Sequence, residues 1–152
     1  MNRLLSRMIS NKSNLKALSR DKEDIITITN NAWFKIASIL SQVNKTNTQT
    51  NTITSMLFSV NGGGCNGFKY DLNIDTEINN KQDKYEKYMF IEKDKNRVYI
   101  DPISELYIIG TTIDYIKEDF NNNIFESKFV FIADKTLATN CGCGTSFTPL
   151  NH

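Results

Sequence analysis

A chain of 152 residues, 39% hydrophobic and 23% charged, is long enough for one domain with a single core and too short for two. A formal net charge of +1 gives a polyanion nothing to recognise, so nucleic acid is not an expected partner. No apolar run approaches the ~20 residues of a membrane-spanning helix, and three cysteines, an odd number without a secretory signal, point to a reducing compartment.

Residues 1–20 contain Arg3, Arg7, Lys12, Lys16 and Arg20 and no acid, which leaves the rest of the chain acidic overall. On a helix, Leu4, Leu5, Met8 and Ile9 share one side and Arg3, Ser6, Arg7 and Ser10 take the other. Basic, Ser-rich, acid-free and amphipathic is the pattern of a mitochondrial transit peptide. The expectation is a targeting segment over 1–23, a folded domain over 24–152, and a matrix location; a disordered basic tail is the competing reading.

The β-branched run Ile25-Ile26-Thr27-Ile28-Thr29 predicts a strand. Asn30 is placed to cap a helix through about Val43, with Trp33, Ile36, Ala37, Leu40 and Val43 as its core stripe. The polar stretch 44–52 reads as a loop, and 53–60 as a second strand running into Gly62-Gly63-Gly64-Cys65-Asn66-Gly67. Phe68, Tyr70, Leu72 and Ile74 then alternate with Lys69, Asp71, Asn73 and Asp75, which predicts a half-buried strand and puts Cys65 in a hairpin turn. After a charged loop over 77–86, Tyr88–Ile91 and Arg97–Asp101 form a hairpin across Asp94-Lys95-Asn96. Pro102 ends that strand and opens a short helical turn, and strands follow at 111–116 and 128–133. The predicted architecture is α+β, mainly antiparallel β, with six or seven strands and one principal helix.

The chemistry gathers near the end, in Asn140-Cys141-Gly142-Cys143-Gly144-Thr145-Ser146-Phe147. Two thiols one residue apart put soft sulfur ligands into a small volume, and their flanking glycines let the backbone curl so that both face one centre. A disulfide across so short a loop is strained. With Cys65, the chain offers three thiols in Gly-rich loops, the makings of one soft-metal site. Three thiolates and His152 would make a Cys₃His zinc set, but no C-x-x-C spacing is present and His152, the last residue, is expected to fray. His152 is also the sole histidine, so a Ser-His-Asp or Cys-His enzyme has no base. Gly62-Gly63-Gly64 is not followed by the Lys-Ser or Lys-Thr of a phosphate cradle. Asp101 and Asp114 are expected to make structural hydrogen bonds, and Tyr70 and Phe147 to pack beneath the thiols.

Gly63-Gly64-Cys65-Asn66-Gly67-Phe68-x-Tyr70 and Cys141-Gly142-Cys143-Gly144-x-Ser146-Phe147 closely resemble the two signatures of the HesB/IscA family, the A-type iron–sulfur cluster carriers. Asp101-Pro102-x-Ser104 and Gly110-x-x-Ile113-Asp114-Tyr115 are similar to the family's middle segment, so the resemblance spans roughly 25–149. It implies a HesB-like β-sandwich that is not an enzyme and that binds an iron–sulfur cluster, [2Fe–2S] or [4Fe–4S], through Cys65, Cys141 and Cys143. It also implies a setting in late mitochondrial assembly of [4Fe–4S] proteins. The expected partners are a second copy or a paralogous A-type carrier, a glutaredoxin-type donor and apo-protein clients. An iron-binding donor of mononuclear iron is the alternative. The sequence departs from many members at Thr145, where a Glu is common, so oxygen ligation from that position is not expected.

Overall fold

The computed structural model describes residues 25–46, 54–63, 67–76 and 88–150. The proposed targeting segment, Cys65 and His152 lie outside these described residues. Strand β1 (Ile26–Ile28) leads into helix α1 (Asn30–Thr46). Strands β2 (Ser55–Gly62) and β3 (Phe68–Asp75) form the hairpin on whose tip Cys65 lies in sequence. Strands β4 (Met89–Lys93) and β5 (Asn96–Ile100) form a second hairpin, followed by a one-turn helix α2 (Glu105–Ile108). Strands β6 (Thr111–Ile116), β7 (Lys128–Ile132), β8 (Ala138–Asn140) and β9 (Ser146–Pro149) complete the order.

The strands make two sheets, β1-β6-β7 and β4-β5-β2-β3-β9-β8. All pairings are antiparallel except β1 with β6 and β2 with β5. The expected α+β sandwich, mainly antiparallel with one principal helix, is the fold found. Both sheets and α1 feed one core: Ile26, Ile113 and Phe131 from the smaller sheet, Phe58, Tyr70, Ile100 and Phe147 from the larger, and Ile36 and Leu40 from the helix. Each fully buried side chain of this size contributes about 1.5–3 kcal/mol relative to exposure. Phe131 stacks on Phe58 at 5.5 Å and on Tyr70 at 5.1 Å, so aromatic rings tie one sheet to the other.

Three local readings are corrected. The helix cap is Thr29, not Asn30: its hydroxyl accepts the Ala32 N–H at 3.2 Å and its carbonyl the Trp33 N–H at 2.9 Å. The same hydroxyl donates to the Asp114 carboxylate, while the Asn30 side-chain carbonyl accepts from Lys93 at 2.7 Å. The alternation of β3 inverts at its end, where Ile74 is 43% exposed and Asp75 is buried, beyond the segment that β9 covers. The described residues hold nine strands and not six or seven, because the cysteine loop is the turn of a short β8–β9 hairpin.

Other expectations hold in detail. Asp94 and Lys95 both take positive φ (50° and 69°), as a two-residue hairpin matched to strand twist requires. Asp101 accepts hydrogen bonds from the Ser104 N–H (3.0 Å) and hydroxyl (2.8 Å), and Ser104 in turn accepts the Val60 N–H at 2.9 Å. Asp101 and Asp114 are therefore structural in the arrangement seen.

Candidate metal centre

Cys141 and Cys143 sit in the turn that joins β8 to β9. The Cys141 N–H donates to the Ser146 carbonyl at 2.8 Å and the Gly144 N–H to the Cys141 carbonyl at 3.0 Å, which closes the turn on itself. Gly144 needs its φ of +71°, and a Cβ there would come 3.3 Å from Val130 Cγ1. Its carbonyl accepts the Phe131 N–H at 2.9 Å, and the Asn140 side chain accepts the Ala133 N–H at 3.1 Å. The turn is thus held to β7 of one sheet while β9 pairs with β3 of the other. On β3 the Tyr70 N–H donates to the Thr145 carbonyl at 3.0 Å.

The two aromatic residues next to the cysteine loops in sequence belong to the core between the sheets. Tyr70 and Phe147 are buried and stack at 4.4 Å, and Phe68 stacks on Phe147 at 5.6 Å. Burial raises the Tyr70 pKa, against a smaller opposing effect of its hydrogen bond to Thr111, so the phenol stays neutral.

Cys141 is half-buried and Cys143 exposed. The Cys143 sulfur lies 3.2 Å from the Thr145 hydroxyl and 3.6 Å from the Ser146 hydroxyl. Its pKa falls from 9.0 to about 6, first through the Thr145 hydroxyl, then through the Thr145 backbone, Cys141 and Ser146. At neutral pH Cys143 is therefore mainly thiolate, the form that binds soft metals.

The hairpin that carries Cys65 closes through the Gly63 N–H donating to the Gly67 carbonyl at 2.8 Å. Strand register places the cysteine turn on the larger sheet: Thr145 faces Tyr70, and Cys141, level with Ser146 and so with Lys69, lies on the Gly67 side of that position. The fold thus brings Cys141 and Cys143 into one turn. Among the described residues, no three His, Cys, Asp or Glu side chains converge as a metal set. Reading the sequence for ligands alone missed the two hydroxyls on Cys143. The run Cys143-x-Thr145-Ser146 after a glycine turn carried that signal.

A β-sandwich that presents two neighbouring thiols on a braced surface turn has the soft donors that thiolate ligation of a metal requires. The chain belongs to the HesB/IscA family: residues 25–145 match the family described as iron-sulphur cluster biosynthesis. It is 31% identical over 123 residues to the iron-sulfur cluster insertion protein ErpA of Haemophilus influenzae (strain PittEE), covering 81% of this chain and 92% of that protein. It is 34% identical over 126 residues to the putative iron-sulfur cluster insertion protein ErpA of Neisseria meningitidis serogroup B, covering 83% and 96%. Among solved structures it resembles Escherichia coli SufA, involved in biosynthesis of iron-sulfur clusters, with a TM-score of 0.56 and 25% identity over 80% of this chain and 90% of that one. The structure of IscA with a [2Fe-2S] cluster shares the fold, with a TM-score of 0.58 and 16% identity over 84% and 100%.

Proposed function

We propose that this chain is an iron–sulfur cluster carrier that accepts a cluster on Cys65, Cys141 and Cys143 and passes it to apo-proteins. The observation that carries the reading is the Cys141-Gly142-Cys143 turn. It is braced from both sheets and exposed at Cys143, within a fold of the iron-sulphur cluster biosynthesis family. Cluster iron takes about four thiolates, and one chain has three cysteines. The cluster is therefore held with an incomplete protein ligand set that an incoming thiolate can enter. Hand-over is stepwise ligand exchange: a client thiolate forms a bond to iron as a carrier thiolate leaves. No covalent chemistry by the protein is needed, which supports a carrier and not an enzyme.

The finer setting belongs to the same proposal. The basic, acid-free residues 1–20 support delivery to the mitochondrial matrix, whereas the ErpA relatives named above are bacterial. Maturation of [4Fe–4S] proteins, a glutaredoxin-type donor and a paralogous carrier as dimer partner follow from the family resemblance. A fusion of residues 1–23 to a reporter tests the location; a reporter left outside mitochondria counts against it.

Anaerobic reconstitution with iron and sulfide, followed by absorption spectroscopy and iron and sulfide analysis, tests the function. The wild-type chain is expected to take up a sulfide-linked cluster. The Cys141→Ser, Cys143→Ser double variant is expected to keep its fold and lose stable binding, because serine keeps the size and loses the soft donor. A double variant that still assembles a full cluster removes the proposed site. Iron bound without sulfide in the wild type favours the alternative, a donor of mononuclear iron.

A further inference from the structure

Ser146 is 3% exposed, and its hydroxyl points at the Cys143 sulfur, 3.6 Å away. Thr145, pinned to β3 by the Tyr70 N–H, brings a second hydroxyl to 3.2 Å of the same sulfur. Both residues precede or sit within β9, so their positions are set by the sheet and not by a free loop. A hydroxyl can donate or accept, but a thiolate only accepts. When Cys143 is deprotonated, as an iron ligand must be, both hydroxyls can serve it only as donors.

We infer that Thr145 and Ser146 are positioning residues whose hydroxyls donate to the Cys143 sulfur and make Cys143 the ligand that lets the cluster go. Donation draws electron density from the sulfur and weakens its bond to iron. Hydrogen bonds to cluster sulfurs also raise the reduction potential. Cys141 is half-buried, and none of the hydrogen bonds described reaches its sulfur from a hydroxyl. The two thiols of the turn are thus unequal: Cys141 is the holding ligand and Cys143 the leaving one. Thr145 in this light is not a failed oxygen ligand but a donor acting through its neighbour.

The inference rests on the carrier reading, and the experiment separates the two. Full-length wild type, Thr145→Val, Thr145→Ser and Ser146→Ala are reconstituted anaerobically to equal iron and sulfide content. The midpoint potential of each is measured, together with the half-time of transfer to an apo-ferredoxin that takes the cluster type loaded. Thr145→Val is expected to lower the potential and slow transfer about fivefold, the effect of one ordinary hydrogen bond. Ser146→Ala is expected to act in the same direction, and Thr145→Ser, which keeps the hydroxyl, to match wild type. Equal potentials and half-times in wild type and Thr145→Val overturn the inference. So does a Thr145→Val chain that folds but cannot load, since it has lost a ligand and not a hydrogen bond. A wild-type chain that forms no cluster overturns the carrier reading, and this inference falls with it.

Discussion

Cys143 owes its ionisation to a few neighbours that can be changed singly. Its thiol is exposed, so desolvation, which would favour the neutral form, is the smallest influence and hydrogen bonding decides. The pKa is lowered, so the thiolate predominates above about 6 and is lost as the pH falls through that value. Alkylation of Cys143 in the metal-free protein, followed by peptide mass mapping, is expected to rise with a midpoint near pH 6. An unperturbed cysteine would titrate near 9.0. Thr145→Val is expected to shift the midpoint upward because the first-named cause is removed. A midpoint at the ordinary thiol value would mean that the turn does not hold these hydroxyls against the sulfur in solution.

At the level of elements, what could be read from the sequence depended on how local the cause is. The β4–β5 hairpin was legible because Asp94 and Lys95 lie between two apolar runs, and β6 because Thr111 to Ile116 is short and β-rich. The β8–β9 hairpin was not: its strands have three and four residues, too short for an apolar pattern, and β9 pairs with β3, far away in sequence. The cap of α1 failed for a similar reason. Thr29 and Asn30 are both capping residues by type, and the choice is made by Asp114, 85 residues away. The candidate site was legible as cysteines and glycines, whereas the hydroxyl donors required the turn geometry. Gly110 shows the same dependence on distant chain. It takes φ +75°, donates its N–H to the Ile25 carbonyl at 2.7 Å, and a Cβ there would lie 2.8 Å from the Asp134 Cβ. Asp134 cannot swing aside freely, because its carboxylate accepts both the N–H (2.8 Å) and the hydroxyl (2.7 Å) of Thr136. Gly110→Ala is therefore expected to destabilise the fold by about 1–3 kcal/mol, seen as a lower urea midpoint with unchanged slope. An unchanged midpoint would show that the chain between β6 and α2 relaxes at no cost.

For the whole molecule, the number of thiols per chain bears on assembly. One chain supplies three cysteines, about four thiolates complete a cluster, and Thr145 is engaged with Cys143 instead of standing free as an oxygen ligand. Cys143 is exposed on the outer face of its turn, where a thiolate from another molecule can reach the same centre. A second chain can supply the missing thiolates. The loaded form is accordingly expected to contain at least two protein chains, or one chain with an added thiol such as glutathione. Sedimentation before and after anaerobic reconstitution, with small thiols removed, reads the outcome directly: loading should convert monomer to dimer or larger, and chelation of the iron should reverse it. A cluster-bearing monomer under those conditions would show that one chain gathers a full ligand set, through a donor other than its three cysteines.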